Sequence, residues 1–313
     1  EYYSEDPVLS ADLGTAFIEG LRSVGVGAAV KHYAANNQEF ERMTSSSEID
    51  DRALHELYLR TFRRVVQHSQ PWAVMASYNK INGEYVSRSH YLLTETLRDE
   101  WGYKGIVVSD WGAAAEKRVE TLKAGLDLEM PGGGSGNEKR IQKSVEAGNL
   151  NESVLDGILE RLIPAIKNVA SQRKGTSSVS ADKNHQLARE AAAEAIVLLK
   201  NNDVLPIKTS LVKKIAVIGR FAKTPRFQGA GSSQVTPTKV DNLYDSLTAV
   251  FGEKSIIYSN GYQNSGEATQ KQIKEAVLAA KKADVVIVAA GLPATYETEG
   301  LDRKTIALPD GHN

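Results

Sequence analysis

One carboxylate is distinguished by its position in the sequence. Asp110 follows the apolar run Ile106-Val107-Val108, and Trp111 comes next. A carboxylate at the carboxyl end of a buried parallel strand can act as a nucleophile, a base or a metal ligand, because ligands gather at that end of the strands. The indole of Trp111 offers a flat apolar face on which a sugar ring can stack. The structural alternative is that Asp110 caps a helix beginning near Ala113.

A second group of polar residues follows an earlier apolar run. Lys31 and His32 end the run 28–30, and the polar segment 36–39 and Arg42 come shortly after. These side chains are suited to hydrogen bonds with hydroxyl groups rather than to an anion cradle. The alternative is a solvated loop with a histidine packed for structural reasons. We expect no metal at His32, because no second histidine lies nearby at a ligand spacing.

An acidic segment lies near the end of the chain, where Glu297, Glu299 and Asp302 follow the apolar run 283–291. Two carboxylates from different loops, one with a raised pKa and one ionised, form the arrangement that glycoside hydrolysis needs. Taken alone, this segment is typical of a solvated surface turn. Only a partnership with Asp110 would give it a catalytic role.

A glycine-rich segment, Gly229-Ala230-Gly231-Ser232-Ser233, follows Arg226 and raises the question of a phosphate site. It has neither the G-x-G-x-x-G nor the Walker pattern, and no helix clearly begins there. A nucleotide-binding protein is therefore disfavoured.

The elements that must position these residues alternate regularly in the first half of the chain. Helical patterns are predicted over residues 11–24, 50–67, 92–101 and 113–124, and short apolar strands over 28–33, 73–79, 105–110 and 126–130, with a loop at 131–136. Such alternation predicts parallel α/β architecture, and Lys31, His32, Tyr78 and Asp110 all fall at strand ends. A (β/α)8 barrel is favoured over an open doubly wound sheet. Because a complete barrel takes about 250 residues, we expect some of its strands to precede residue 1.

The second half predicts another α/β unit. A polar segment at 171–180 is predicted to be a linker. After it, helices are predicted at 185–200 and 270–282 and strands at 214–219 and 283–291. The predicted division is a partial (β/α)8 barrel at 1–170, a linker at 171–185, and a partial α/β sandwich domain at 186–313. We expect this second domain to be truncated at its C-terminus.

Composition excludes several classes of protein. The chain has 313 residues, with 38 Lys+Arg against 39 Asp+Glu, and the net charge of −1 argues against nucleic acid as a partner. No apolar run reaches the roughly 18 residues of a membrane-spanning helix. With no cysteine, disulfides and thiolate metal sites are excluded. Residue 1 is Glu and no leader pattern follows, so we expect an internal piece of a longer chain or a chain that lacks its first part, and we make no prediction of localisation.

Six segments, in this order and over nearly the whole chain, resemble glycoside hydrolase family 3 in its β-glucosidase branch. They are KHYAANNQEFER at 31–42, VMASYNKING at 74–83, LLT with LRDEWGY at 92–103, GIVVSDW at 105–111, AR to LP at 188–206, and EGLDR with LP at 299–309. The N-acetylglucosaminidase branch, with its Lys-His-Phe-Pro-Gly-His-Gly loop, is disfavoured because the segment 31–37 reads KHYAANN.

The resemblance implies a retaining exo-glycosidase that hydrolyses terminal β-D-glucosyl residues without a metal or other cofactor, at a site between a (β/α)8-type barrel and an α/β sandwich. It implies that Asp110 is the nucleophile and that Glu299, from the second domain, is the acid/base. The implied substrate-binding residues are Lys31, His32, Arg42, Tyr78, Trp111 and, by a looser match with Ser233 as the competing choice, Ser232. For direct displacement the two carboxyl groups should lie about 5–5.5 Å apart.

Alternative functions remain open at this point. A β-xylosidase or another exo-acting glycosidase would use the same chemistry on a different sugar. A catalytically inactive carbohydrate-binding fragment would bind a sugar without turning it over. The expected partner is a β-glucoside or oligosaccharide, with no nucleic acid or membrane, and either a second chain or further segments would complete the barrel and the sandwich.

Overall fold

The computed structural model of the protein describes residues 3–114, 117–132, 135–172, 180–309 and 312. The chain divides into two compact units, Glu1–Ser177 and Ser178–Asn313. The strands are β1 (Ala29–Tyr33), β2 (Ser46–Ser47), β3 (Ala73–Ala76), β4 (Lys80–Ile81), β5 (Glu84–Tyr85), β6 (Ile106–Ser109), β7 (Ile215–Ile218), β8 (Ile256–Ser259) and β9 (Val285–Val288). The α-helices are α1 (Pro7–Ser23), α2 (Asp51–Ala53), α3 (Leu59–Ser69), α4 (Arg118–Ala124), α5 (Ser135–Glu146), α6 (Glu152–Gln172), α7 (Ala181–Ala195), α8 (Leu243–Phe251) and α9 (Gln270–Ala280). Two segments, Leu54–Tyr58 and Tyr91–Glu100, are wound as wider π-helices.

The first unit is built on a parallel sheet with the strand order β1-β3-β6. Val74 of β3 pairs with Val30 of β1 on one side and with Val107 of β6 on the other. The three strands run parallel, so the loops that follow them leave the same edge of the sheet. A small second sheet, β2-β4-β5, joins the loops that follow β1 and β3.

Helices cover this sheet because their apolar faces must be buried. Asp6 caps α1 by accepting the N–H of Val8, with Pro7 at the first helical position. α1 packs against α3, and Ala11, Ile18 and Val65 form a buried cluster between them. The main core lies around the sheet, and its fully buried side chains include Tyr33, Leu59, Val66, Val74, Val86, Leu93, Leu97, Val107 and Leu126.

The second unit has its own parallel sheet, with the order β8-β7-β9, and its own core. β7 lies in the centre, and Ile215, Val217 and Ala222 are buried against partly buried side chains of α8, β8 and β9. Thr269 caps α9, and its side chain forms a reciprocal capping box with Gln272. Within the described segments of both units, none of the helices combines the length and the apolar character needed to cross a bilayer.

These two sheets confirm the α/β class predicted from the sequence, but several predicted boundaries were wrong. The helix predicted over 185–200 begins at Ala181, which Ser180 caps, and ends at Ala195 because Ile196 is extended. The run 196–199 is exposed rather than helical, with Leu199 92% accessible. The strand predicted at 126–130 is reduced to a single parallel bridge between Leu128 and Val108.

Two further boundaries differ around the predicted loops. The helix α4 begins at Arg118 rather than near 113, so Asp110 does not cap it. The segment predicted as a loop at 131–136 already enters α5 at Ser135. Of the polar segment predicted as a linker at 171–180, residues 171–172 belong to α6, and residues 173–179 lie outside the described residues.

Candidate active site

Asp110 lies directly after β6, and its carboxylate is held by neighbouring groups. Its backbone N–H donates to the Ala76 carbonyl at 3.2 Å, which continues the pairing with β3 for one residue beyond the strand. The Oδ1 atom accepts the N–H of Trp111 at 2.7 Å, and Oδ2 lies 3.4 Å from Nε2 of His32. Asp110 is only 8% exposed. The carboxylate is therefore fixed in orientation at the carboxyl edge of the sheet.

The two residues that the sequence analysis singled out on β1 differ in exposure. His32 is buried beside Asp110, whereas Lys31 is exposed. The parallel pairing of β1 with β3, and of β3 with β6, is what carries His32 to Asp110, 78 positions later in the sequence.

Next to Asp110, the two aromatic residues Trp111 and Tyr78 are joined by a hydrogen bond. The Tyr78 hydroxyl donates to the Trp111 carbonyl at 2.9 Å, and the Arg42 guanidinium lies over the Tyr78 ring at 4.8 Å from its centre. Arg42 also pairs with Glu39 at 2.8 Å. Trp111 is 53% exposed and therefore accessible to a ligand. His32, Asp110, Trp111, Tyr78 and Arg42 thus form one continuous chain of contacts.

Sequence reasoning missed the residues that tie the loops after β1 and β3 together. The Ser77 hydroxyl donates to the Ala34 carbonyl at 3.2 Å, and the Asn79 amide donates to the carbonyls of Ala34 and Ala35 at 3.3 and 3.2 Å. Both side chains are buried. They flank Tyr78 in the segment Ser77-Tyr78-Asn79, and their position directly after a strand was the signal available in the sequence.

A buried ionic network that was not predicted from the sequence lies behind β6. Asp127 is fully buried and pairs with Arg98 at 2.6 Å and with Arg161 at 2.8 Å. Its Oδ2 also accepts the N–H of Val107 at 2.7 Å. Burial lowers the pKa of the Arg98 guanidinium, and the charge of Asp127 opposes this effect. The network anchors β6, the strand that Asp110 follows.

In the second unit, Glu299 occupies a tight turn. Thr298 and Leu301 exchange backbone hydrogen bonds at 3.3 and 3.0 Å, and Gly300 has a positive φ of +80°. Glu299 Oε2 accepts the backbone N–H of Ser232 at 2.6 Å. Ser232, predicted from the sequence to bind substrate, thus contacts Glu299 through its backbone N–H. The hydroxyl of Ser233, the competing choice, donates to the Ala230 carbonyl at 3.4 Å.

Arg226 braces the segment that leads into this turn. Its guanidinium donates to the Leu292 carbonyl at 3.0 Å and to the Glu297 carbonyl at 2.9 Å. At the far side of the turn, Arg303 lies 4.0 Å from the Glu297 carboxylate. The glycine-rich segment and Arg226, which the sequence analysis weighed as a phosphate site, instead contact the acidic loop.

The larger hollows of the first unit lie away from Asp110. Two hollows of about 640 and 430 Å³ lie against α1, α3 and the β1 edge, and Asp110 lines neither of them. Across the ranges given above for the two units, no group of three His, Asp or Glu residues is placed to hold a metal ion.

Comparison with known proteins is consistent along the whole chain. Residues 1–165 match the family model described as Glycosyl hydrolase family 3 N terminal domain, and residues 196–313 match the Glycosyl hydrolase family 3 C-terminal domain. The chain is 47% identical to Thermostable beta-glucosidase B of Acetivibrio thermocellus over 100% of its length. It is 42% identical to an Exo-alpha-(1->6)-L-arabinopyranosidase of Bifidobacterium breve over 99% of its length.

A solved structure agrees with these relatives. The GH3 beta-glucosidase of Bifidobacterium adolescentis superposes with a TM-score of 0.91 and 42% identity, covering 99% of this chain and 45% of that protein. The chain covers 42% of each of the two relatives named above, and so spans less than half the length of all three proteins. Both family domains are matched in order along the chain, which therefore belongs to glycoside hydrolase family 3.

Proposed function

We propose that this protein is a retaining exo-glycosidase that hydrolyses terminal β-D-glucosyl residues. The observation that carries the proposal is the carboxylate of Asp110, which is held by the Trp111 N–H beside His32 at the carboxyl edge of a parallel sheet. The names of the related β-glucosidases support the choice of sugar.

The proposed reaction has two steps. Asp110 attacks the anomeric carbon and forms a glycosyl–aspartate bond, while Glu299 gives its proton to the departing glycosidic oxygen. Glu299, now ionised, then takes a proton from water as the water oxygen attacks the same carbon and releases Asp110. Two displacements leave the configuration of the sugar unchanged.

The remaining site residues would bind the sugar. Lys31, His32 and Arg42 can donate hydrogen bonds to the hydroxyl groups of the terminal residue. The exposed indole of Trp111 can stack against the sugar ring, with Tyr78 holding its backbone in place. We propose that Ser232 contributes chiefly through the N–H that it donates to Glu299.

We also propose a finer description of the fold. The β1-β3-β6 sheet, with the parallel bridge at Leu128, would be one arc of a (β/α)8 barrel over residues 1–170. The β8-β7-β9 sheet would be part of an α/β sandwich domain over residues 186–313. The parallel direction of every strand pair in these two sheets supports this description.

The nucleophile can be identified by trapping. We would incubate the protein with a 2-deoxy-2-fluoro-β-D-glucoside that bears an activated leaving group and measure the intact mass. Fluorine slows release of the sugar more than its transfer, so one glycosyl adduct is expected on the peptide that contains Asp110. The variant Asp110→Asn should gain no adduct.

An adduct on another residue, or none in a preparation that turns over glucosides, would contradict the proposed mechanism. If a preparation containing only this chain binds sugars but shows neither adduct nor turnover, the inactive carbohydrate-binding fragment is the better description. The untreated spectrum also reports whether a second chain accompanies this one.

The acid/base is tested by leaving-group dependence. Glu299→Gln should lose most of its kcat/KM for phenyl β-glucoside but retain it for 2,4-dinitrophenyl β-glucoside, whose leaving group departs without protonation. An equal loss for both substrates would count against Glu299 in this role.

A second candidate substrate is an α-L-arabinopyranoside, because two relatives of 42% and 43% identity are named as enzymes that release that sugar. Arabinopyranose lacks the hydroxymethyl group of glucose and has an axial hydroxyl at C4. Ratios of kcat/KM for 4-nitrophenyl β-D-glucoside, β-D-xyloside and α-L-arabinopyranoside separate the three possibilities. We expect the glucoside to be preferred. A clear preference for either pentoside would assign that sugar as the substrate in place of glucose.

A further inference from the structure

The backbone at Gly231 lies against the side chain of Glu299, although 68 positions separate them in the sequence. A Cβ atom added at Gly231 would lie 2.5 Å from the Cβ of Glu299 and 2.6 Å from its Oε2. Both distances are far below van der Waals contact. No residue larger than glycine fits here unless Glu299 moves.

The conformation of Gly231 imposes a second restriction. Its φ is +82°, a left-handed conformation that side chains of L-residues disfavour. This turn directs the next backbone N–H, that of Ser232, to Glu299 Oε2 at 2.6 Å. The glycine thus allows the close approach and also aims the donor.

We propose that Gly231 is a positioning residue for the acid/base of this enzyme. It acts through Glu299. The backbone of Gly231 restricts the Cβ end of the Glu299 side chain, and the Ser232 N–H holds one oxygen of its carboxylate. The inference rests on the proposed role of Glu299. The glycine-rich segment, which lacks a phosphate-binding pattern, would thus serve to hold Glu299.

The Gly231 backbone and the Ser232 N–H together form a clamp on Glu299, and the chemical reason for it is geometric. A general acid must lie within hydrogen-bond reach of the oxygen that it protonates, and small displacements of a catalytic group cost large factors in rate. Glu299 is exposed on a turn, where a long side chain has several rotamers available. The backbone contact at Gly231 restricts these rotamers.

The test compares Gly231→Ala with a matched glycine variant. Gly252 follows α8 and has nearly the same φ, +81°, but a Cβ added there meets nothing within 4 Å. Gly252→Ala therefore places a side chain at a similar positive φ without the clash. Each variant and the parent protein are assayed for kcat/KM on phenyl and on 2,4-dinitrophenyl β-glucoside.

We expect Gly231→Ala to lower the ratio of the phenyl to the dinitrophenyl value by at least about tenfold, because only the phenyl leaving group needs protonation. Gly252→Ala should leave this ratio unchanged. A loss of folded protein lowers both rates equally, so the ratio separates positioning from mere destabilisation. An unchanged ratio in soluble Gly231→Ala would overturn the proposal.

A second variant covers the case in which Gly231→Ala does not fold. Ser232→Pro removes the N–H donor without adding an atom at position 231, and it should lower the same ratio. If Glu299→Gln itself shows no leaving-group selectivity, the proposed role of Glu299 fails. The clamp is then judged on crystal structures of the parent protein and Gly231→Ala: an unmoved Glu299 side chain in the variant would refute it, and a displaced one would support it.

Discussion

At the scale of single residues, the two oxygens of Asp110 have different neighbours. Oδ1 accepts the N–H of the next residue, whereas Oδ2 faces the His32 ring. A nucleophilic carboxylate works best when its orientation is set before the substrate arrives, because no reorganisation is then needed during the reaction. The N–H of Trp111, the next residue, and the ring of His32, from much earlier in the sequence, set the orientation of the Asp110 carboxylate.

The Tyr78 hydroxyl offers a test of this local order. It donates to the Trp111 carbonyl, so Tyr78→Phe removes the bond that holds the residue after Asp110, the proposed nucleophile. The loss of one such hydrogen bond is about 1 kcal/mol, and we expect kcat/KM for 4-nitrophenyl β-glucoside to fall by about fivefold or more. Steady-state kinetics and thermal unfolding would be measured together. Unchanged kinetics would show that this bond does not support the site.

At the scale of elements, parallel strands determine which loops meet. β3 lies between β1 and β6, so the segments that follow these strands leave one edge of the sheet and bring His32, Tyr78 and Asp110 together. β6 is also anchored by a buried ionic network, in which Asp127 pairs with Arg98 and Arg161. Removing one member of such a network leaves charges buried without a partner.

Asp127→Ala should therefore destabilise the protein by about 3–5 kcal/mol. The matched control is Asp12→Ala, which breaks the largely exposed pair of Asp12 with Arg64 and should cost less than about 1 kcal/mol. Urea unfolding of both variants measures the difference. Similar losses in the two variants would contradict a dominant role for the buried network.

A pH-dependent prediction concerns the start of β7 and β9. The N–H groups of Lys214 and Lys213 donate to the Asp284 carboxylate at 2.9 and 2.8 Å and hold the pKa of that carboxyl below its usual range. A depressed pKa in the folded state gives stability that is present at neutral pH and is lost as the pH falls through that pKa.

Asp284→Asn should lower the urea midpoint of unfolding at pH 7, and the difference from the parent should shrink as the pH falls below about 4. Glu253→Gln, which neutralises an exposed carboxylate in the same unit, serves as the control. A difference that persists at pH 2 would mean that the carboxylate charge is not the cause.

At the scale of the whole molecule, the two units have separate cores and separate shares of the proposed chemistry. Asp110 and its neighbours belong to the first unit, whereas Glu299, Ser232 and Gly231 belong to the second. The proposed reaction needs both carboxylates, so neither unit is expected to be catalytic by itself. The two family domains match these units in chain order.

The sequence by itself determined the family, the α/β class and the strand ends that carry Lys31, His32, Tyr78 and Asp110. These features depend on local apolar runs and on short motifs, which can be read without knowing distant contacts. Helix ends were less well determined. The apolar run 196–199 extended the predicted helix, although the chain leaves the helical conformation at Ile196.

Only the tertiary structure decided the contacts between segments far apart in sequence. The bonds of Asp127 to Arg98 and Arg161 and the contact of Gly231 with Glu299 join positions between 29 and 68 residues apart. No local pattern marks these residues, because an aspartate in an apolar run or a glycine in a loop fits many environments. Their roles arise from sheet order and loop packing, which bring buried charges to their partners and a backbone against a carboxylate.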